Sequence, residues 1–482
     1  MDPSERSPLL KRTIGTVNDP GDTLTQVYFR RWYILFVFTA LVVLQSMTWN
    51  TWGPIAPTAS DVFNWSQSDV ALLSNWGPIT YIISAFFFSW LIESKGLRTA
   101  VLVSGGCLFL GTILRCIPVK PSNVLWVMHP GQLFIGLSGP VMMSAPTVVS
   151  AVWFPPHQRT SSTAVGSMAG IVGTALSFII GPQIVTAVNH TNNATTPPAV
   201  QYFEEGNFIS ELPLDEKNKH LMEINILMYL ECGITALFFV ASVIYFPKKP
   251  PQPPSMSASI PREDYLSGIK KLCTKWQFMA PALAYGIFTG VYGGWTTQLT
   301  SILDHIEEVD ETAAGWMGFF ANIAGVVGGL VISRIVDVSG GKIMKVLLLT
   351  LTLLSIGIWV WIVLICGNFI PPTNVQIWIS YIATGFFTAS LIPLFYEICA
   401  EGAYPIGEST TTGFSTWLNN LFCLIFLLTA SVNAFGYQWM NWAMLGSVLL
   451  VIPLLAVYKE RYNRLDVDVS PESATTSTGE RA

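Results

Sequence analysis

Charge is what this chain of 482 residues has least of: Asp, Glu, Lys and Arg together make up 11% of it, against about 25% in soluble proteins. Hydrophobic residues make up 51% and the mean hydropathy is +0.49, values that exclude an ordinary soluble domain. The seven cysteines are an odd number, and most lie inside apolar runs or, like Cys273, beside lysines, so no disulfide framework is expected. Cys116 and Cys366 fall near the other ends of their runs. No metal-ligand spacing, P-loop, nucleophile elbow or HExxH pattern stands out, so neither an enzyme nor a cofactor is expected. The first thirty residues are polar and the first apolar run is long enough to span, so no cleavable signal peptide is expected. Net charge is −5 and the basic residues are scattered, which argues against a nucleic-acid partner.

Long apolar runs are abundant. Runs of about 20 residues fit a bilayer, and twelve are found, at 32–57, 70–91, 97–116, 129–152, 162–188, 224–245, 278–300, 314–336, 343–366, 375–397, 411–432 and 439–458. The chain therefore reads as an all-α membrane protein embedded in lipid. An even number of spans puts both termini on one side. Placing them in the cytosol leaves 21 of the 25 basic residues there, including Arg30, Arg31, Lys95, Lys248, Lys249, Lys270 and Lys459, and only Arg115, Lys120, Lys217 and Lys219 opposite. The implied units are a cytosolic tail (1–31), a six-helix half (32–245), a linker (246–277), a second six-helix half (278–458) and a second tail (459–482).

The halves repeat. Glu93-Ser94-Lys95-Gly96-Leu97-Arg98 and Asp337-Val338-Ser339-Gly340-Gly341-Lys342 stand 244 residues apart, acid matching acid, Gly matching Gly and base matching base. Hydroxyl runs, Thr160–Thr163 and Ser409–Thr412, precede spans five and eleven. Two parallel six-helix halves are the organisation of the major facilitator fold, with a solute site between them near the midplane. A helix start favours a nearby carboxylate, so Glu93 is expected near span eleven and Asp337 near span five. With Arg98 and Lys342 they would form a cytosolic latch that breaks on opening.

Trp49-Asn50-Thr51-Trp52-Gly53-Pro54-Ile55 interrupts the first run, and Ser74-Asn75-Trp76-Gly77-Pro78-Ile79 echoes it in the second. Amides and indoles at bilayer depth are costly unpaired, and Gly-Pro breaks the helical ladder, so this backbone should be buried in protein or line a wet cavity. Trp49, Asn50, Trp52, Asn75 and Trp76 are the cavity candidates. Span seven, the repeat partner of span one, adds Tyr285, Tyr292, Trp295 and Gln298, expected to face Trp49 and Trp52 as a box for a cation or flat ring.

Ionisable groups at membrane depth are the candidates for proton coupling. Glu231 lies about 10 Å inside span six, at 1.5 Å per residue; it either exchanges protons with an acidic lumen or pairs permanently with Arg115 at the same end of span three. His129 begins span four, as an interfacial cap or a proton sensor. Glu397 ends span ten and, with Glu401 and Glu408, is expected to make an acidic, solvated mouth.

Two peripheral signals concern location. Glu5 stands four residues before Leu9-Leu10 on the N-terminal tail, the pattern of a dileucine signal read by a clathrin adaptor. Asn189-His190-Thr191 and Asn193-Ala194-Thr195 are glycosylation sequons on the non-cytosolic side.

Arg30-Arg31-Trp32, WNTWGPI at 49–55, KGLR at 95–98, LRCIP at 114–118, Phe246-Pro247, Ala314-Gly315-Trp316 and Tyr404-Pro405 together resemble the solute-carrier family of the feline leukaemia virus subgroup C receptors, and its lysosomal member most. The resemblance implies proton-driven export of a small organic nutrient from lysosome to cytosol: a vitamin B6-like pyridine, a choline-like amine or a haem-related compound. It implies an aromatic cage including Trp49. The span-seven Tyr of the amine-carrying relatives falls at Gly293 here, with Tyr292 beside it. The competing reading is a transport-silent receptor or scaffold that recruits partners through its tails.

Overall fold

A computed structural model describes residues 25–118, 123–186, 213–298, 302, 311–367, 369–371, 373–430 and 438–469. Glu5, Leu9, Leu10, the sequons at Asn189 and Asn193, and Lys120 lie outside the described residues. Among the described residues all regular structure is helical. The first half holds α1 (Arg31–Trp49), α2 (Ala56–Phe63), α3 (Gln67–Lys95), α4 (Leu97–Arg115), α5 (Leu125–Ser144), α6 (Pro146–Trp153), α7 (Pro156–Ile184) and α8 (Leu214–Ile244). Two short helices, α9 (Met256–Ser259) and α10 (Tyr265–Thr274), lie in the linker. The second half holds α11 (Trp276–Thr297), α12 (Glu311–Val338), α13 (Met344–Cys366), α14 (Asn374–Ala389), α15 (Leu391–Ala403), α16 (Glu408–Ala430) and α17 (Gln438–Val457), followed by α18 (Asn463–Val469).

Every expected span is met by a helix or a bent pair of helices. Nine described helices are long and apolar enough to cross a membrane, or ten when α5 and α6, bent by 42° at Ala145-Pro146, count as one. α11 falls outside that set because glycines, tyrosines and tryptophans dilute its apolar run. The first span is shorter than its apolar run: α1 stops at Trp49, since Gly53-Pro54 cannot continue the ladder, and Pro57 helps restart the chain as α2. Ser66 and Asp69 then start α3 with a reciprocal capping box.

The two halves have separate cores. One buried apolar cluster runs from Leu272 to Tyr458, and the other three lie wholly between Ile34 and Phe246. The halves therefore have their own cores and meet through polar contacts and through Phe86, which packs on Phe414 and Trp417. The N-terminal backbone, the linker and α18 share one face: Gln26 N–H donates to Pro253, and Ser257 N–H to Asp468. This is the linker face, and the opposite one is the far face. The segment after the last span is not a bare tail, because α18 seats the wholly buried Arg464.

Candidate functional site

Contacts between the halves gather on one side. From the middle of α3 toward the linker face, the Tyr81 hydroxyl bonds Thr416, and the Trp417 indole donates to the Ile82 carbonyl at 3.2 Å. Thr147 meets Thr412 at 2.9 Å, and the Thr163 hydroxyl donates to Glu397 at 2.5 Å. At the helix starts, Asp337 accepts from the backbone N–H groups of Thr160 (3.1 Å) and Ser161 (2.8 Å). Glu93 accepts from the hydroxyls of Ser409 (2.6 Å) and Thr410 (3.1 Å) and from the Thr410 N–H (3.3 Å). Each acid of one half thus caps a helix of the other, where partial positive charge favours it.

The bases of the repeated loops do not join in. Arg98 is exposed and makes no ion pair among the described residues, and Lys342 reaches Asp466 of its own half at 3.4 Å. Gly96 (φ 90°) and Gly340 (φ 75°) adopt a backbone that side chains resist, which explains the matched glycines.

Charge at the linker face is buried and paired, which corrects the expected solvated mouth of Glu397, Glu401 and Glu408. Arg464 donates to Glu397 (2.5 Å) and Glu401 (2.9 Å), while Arg262 grips Glu408 through two nitrogens (2.7 and 3.0 Å). Arg159 meets Asp468 at 3.1 Å. Burial works against the Arg464 charge, but the carboxylates of Glu401, Glu397 and Glu408 outweigh it and hold its pKa above the usual arginine value. Arg262 is likewise raised: desolvation opposes its charge, and Glu408 overcomes that opposition.

At the far end the candidate pathway side chains that form hydrogen bonds do so, among the described residues, only within their own half. The Trp49 indole donates to the Ser74 carbonyl (2.9 Å) and lies against Gly77, where a Cβ would collide with it. The echoed WGP thus gives the first motif's indole its seat. Asn50 donates to Ser177 at 2.8 Å. Asn75 and Gln298 are half-buried, and their side chains have no hydrogen bond among the described residues. Trp76 donates to Nδ1 of His129 at 3.0 Å; an indole only donates, so that ring is neutral with its proton on Nε2.

The expected aromatic box is not assembled. Trp52 is wholly buried in the first half, edge-on to Trp65 and 5.5 Å from the Arg115 guanidinium. Trp295 is buried in the second half, stacked on Tyr381 and bonded to Asn441 at 2.8 Å, and Tyr285 bonds Tyr396 at 3.0 Å. Their large apolar faces are better satisfied inside each half than across a polar gap. Tyr292 is half-buried against Trp359. Glu231 pairs with Arg115 at 3.0 Å, both side chains almost fully buried.

Gln132 was missed by sequence reasoning. It is 0% exposed, its Nε2 donates to the Trp49 carbonyl (3.2 Å), and among the described residues its Oε1 has no hydrogen-bond partner. The signal was one amide in an apolar run, at a position where an unpaired acceptor is costly. No group of His, Cys, Asp and Glu suited to a metal occurs among the described residues.

A family model described as Major Facilitator Superfamily matches residues 38–427. Over 472 residues the chain is 35% identical to the solute carrier family 49 member 4 homolog of Xenopus tropicalis, covering 97% of this chain and 98% of that protein. It is 26% identical to the choline/ethanolamine transporter flvcr2a of Danio rerio, over 85% and 86% of the two chains. Among solved structures it resembles FucP, a Major Facilitator Superfamily transporter in the outward conformation (TM-score 0.65, 12% identity, 88% of this chain and 98% of that one). The human organic anion transporter MFSD10 gives a TM-score of 0.61 at 14% identity, over 88% and 99%.

Proposed function

The chain belongs to the Major Facilitator Superfamily and, within it, to solute carrier family 49, and on that premise we propose that it carries a small organic nutrient from the lysosome to the cytosol by alternating access, driven by protons. The supporting observation is the one-sided seam: every hydrogen bond joining the halves among the described residues lies between the level of Tyr81 and the linker face. Trp49, Asn50, Trp76 and Trp295 at the far side bond only within their halves. This is the arrangement of a carrier shut on one side, with Glu93 and Asp337 as the latch and the linker face toward the cytosol.

The favoured solute is a vitamin B6-like pyridine, ahead of a choline-like amine and a haem-related compound. Trp49 offers a ring face, Asn50 an amide and Gln132 a free acceptor. A Cβ at Gly293 would meet only Cys423, at 3.7 Å, so the place where the amine-carrying relatives put a tyrosine carries no side chain here. The test is uptake of pyridoxine, choline, ethanolamine and haem at acidic pH by cells carrying the Leu9→Ala, Leu10→Ala form at their surface. That form is expected to leave the lysosome because the adaptor loses two apolar anchors; unchanged lysosomal location would show the tail motif to be incidental. Trp49→Ala should lower pyridoxine uptake at least about tenfold at normal surface level, since a desolvated ring contact contributes roughly 2 kcal/mol. Folded wild-type protein that moves none of the four solutes would favour the receptor reading.

The driving proton is assigned to His129, because Glu231 and Glu397 already face arginines at 3.0 and 2.5 Å. Protonating His129 turns Nδ1 into a donor and breaks its bond from Trp76. His129→Gln, which keeps an acceptor but cannot titrate, should retain transport and flatten its rise between neutral and acidic pH. An unchanged pH profile would clear His129 of the role.

A further inference from the structure

α1 ends at Trp49, within the apolar run 32–57, and a helix end leaves carbonyls its own backbone cannot satisfy, which is costly away from water. Among the described residues no backbone N–H outside the helix ladder reaches the carbonyl of Thr48 or Trp49. Side chains take their place. Arg115 Nη1 donates to the Thr48 carbonyl at 2.9 Å, and Gln132 to that of Trp49 at 3.2 Å. Arg115 in turn is held by Glu231, whose other oxygen accepts from the Thr51 hydroxyl at 2.7 Å. One buried ion pair therefore grips the chain at Thr48 and at Thr51, the residues that flank Trp49 and Asn50.

We infer that Arg115 and Glu231 are positioning residues of the solute site: their pair fixes the broken end of α1 and thereby sets where Trp49 and Asn50 stand. The inference rests on the reading of those two residues as solute contacts. It gives the pair a task beyond joining α4 to α8, for which neither the Thr48 carbonyl nor the Thr51 hydroxyl would be needed. It also separates Glu231 from proton transfer, since a carboxyl that took a proton would release the guanidinium it orients.

The experiment uses the full-length protein, purified for hydrogen–deuterium exchange and reconstituted for uptake with pyridoxine as probe. Arg115→Met with Glu231→Leu replaces the pair by apolar side chains and strands no buried charge. Thr51→Val leaves the pair and removes one grip. In the double variant amide exchange over residues 50–56 should rise at least about tenfold while α4 and α8 stay protected, and KM should rise about tenfold with kcat within about twofold, as for a lost charged hydrogen bond. Thr51→Val should move both readouts the same way by a few-fold. Loosening of α4 and α8 with residues 50–56 unchanged would reduce the pair to a helix joint and overturn the inference. An unchanged KM with acid stimulation lost would overturn it in favour of proton transfer. Should the double variant not fold, Thr51→Val decides by the same outcomes. Failure of the solute reading shows separately, as wild-type protein that ignores pyridoxine or is indifferent to Trp49→Ala, and the exchange arm then decides alone.

Discussion

Arg464→Met is expected to cut the yield of folded protein severalfold and to lower its thermal midpoint more than any other single change at the linker face. The side chain is 1% exposed and is the main partner of two carboxylates, Glu397 and Glu401, which are themselves 2% and 4% exposed. Glu401 is additionally fixed by the N–H groups of Arg464 and Leu465, both 3.0 Å away, so the acid also holds the start of α18. Removing one partner of a buried pair leaves an uncompensated charge at a cost of about 3–5 kcal/mol, and here two acids lose theirs. Glu408 is spared, because Arg262 holds it from the linker. The check is thermal unfolding of detergent-purified protein. Adding Glu397→Gln and Glu401→Gln should restore most of the loss, since it removes the stranded charges. A single Arg464→Met variant that melts with the wild type would mean that solvent or another cation reaches those acids.

That cluster also shows where reading the sequence stops. The spans were legible because lipid demands about 20 apolar residues per crossing, and α3 and α11 were found although their polar residues weaken the pattern. The places of Glu93 and Asp337 were legible through the repeat, which pairs each acid with the opposite half's helix start. Arg464 was not legible: it lies in a polar stretch that reads as solvated tail, and only tertiary contact brings it 63 and 67 residues back to Glu401 and Glu397 on α15. Trp52, Trp295 and Tyr285 failed for a related reason. An aromatic at membrane depth satisfies core packing and a solute wall equally well, and the sequence does not say which neighbour it will find. The Thr51–Glu231 bond spans 180 residues and joins two motifs that composition treats as unrelated.

Glu93→Gln combined with Asp337→Asn is expected to move the resting protein from shut to open at the linker face. Each carboxylate sits against a helix start, with hydroxyl or N–H donors at 2.6 to 3.3 Å, in a setting where an anion contributes up to about 2 kcal/mol. An amide keeps one acceptor but loses the charge and turns an NH₂ toward groups that themselves donate. The two contacts lie on different helix pairs, α3 with α16 and α12 with α7, yet they oppose the same opening. Their free energies therefore add on one equilibrium, and each loss of about 1.4 kcal/mol shifts it tenfold. The double variant should populate the open state about ten to a hundred times more than wild type, each single variant about three to ten times. Thr412→Cys reports the change: Thr412 meets Thr147 across the seam at 2.9 Å and is wholly buried, so a membrane-impermeant thiol reagent applied from the linker face reacts only after opening. Labelling of Thr412→Cys at the same rate with and without the two neutralised acids would show that the seam from Tyr81 to Thr163 holds the halves together by itself.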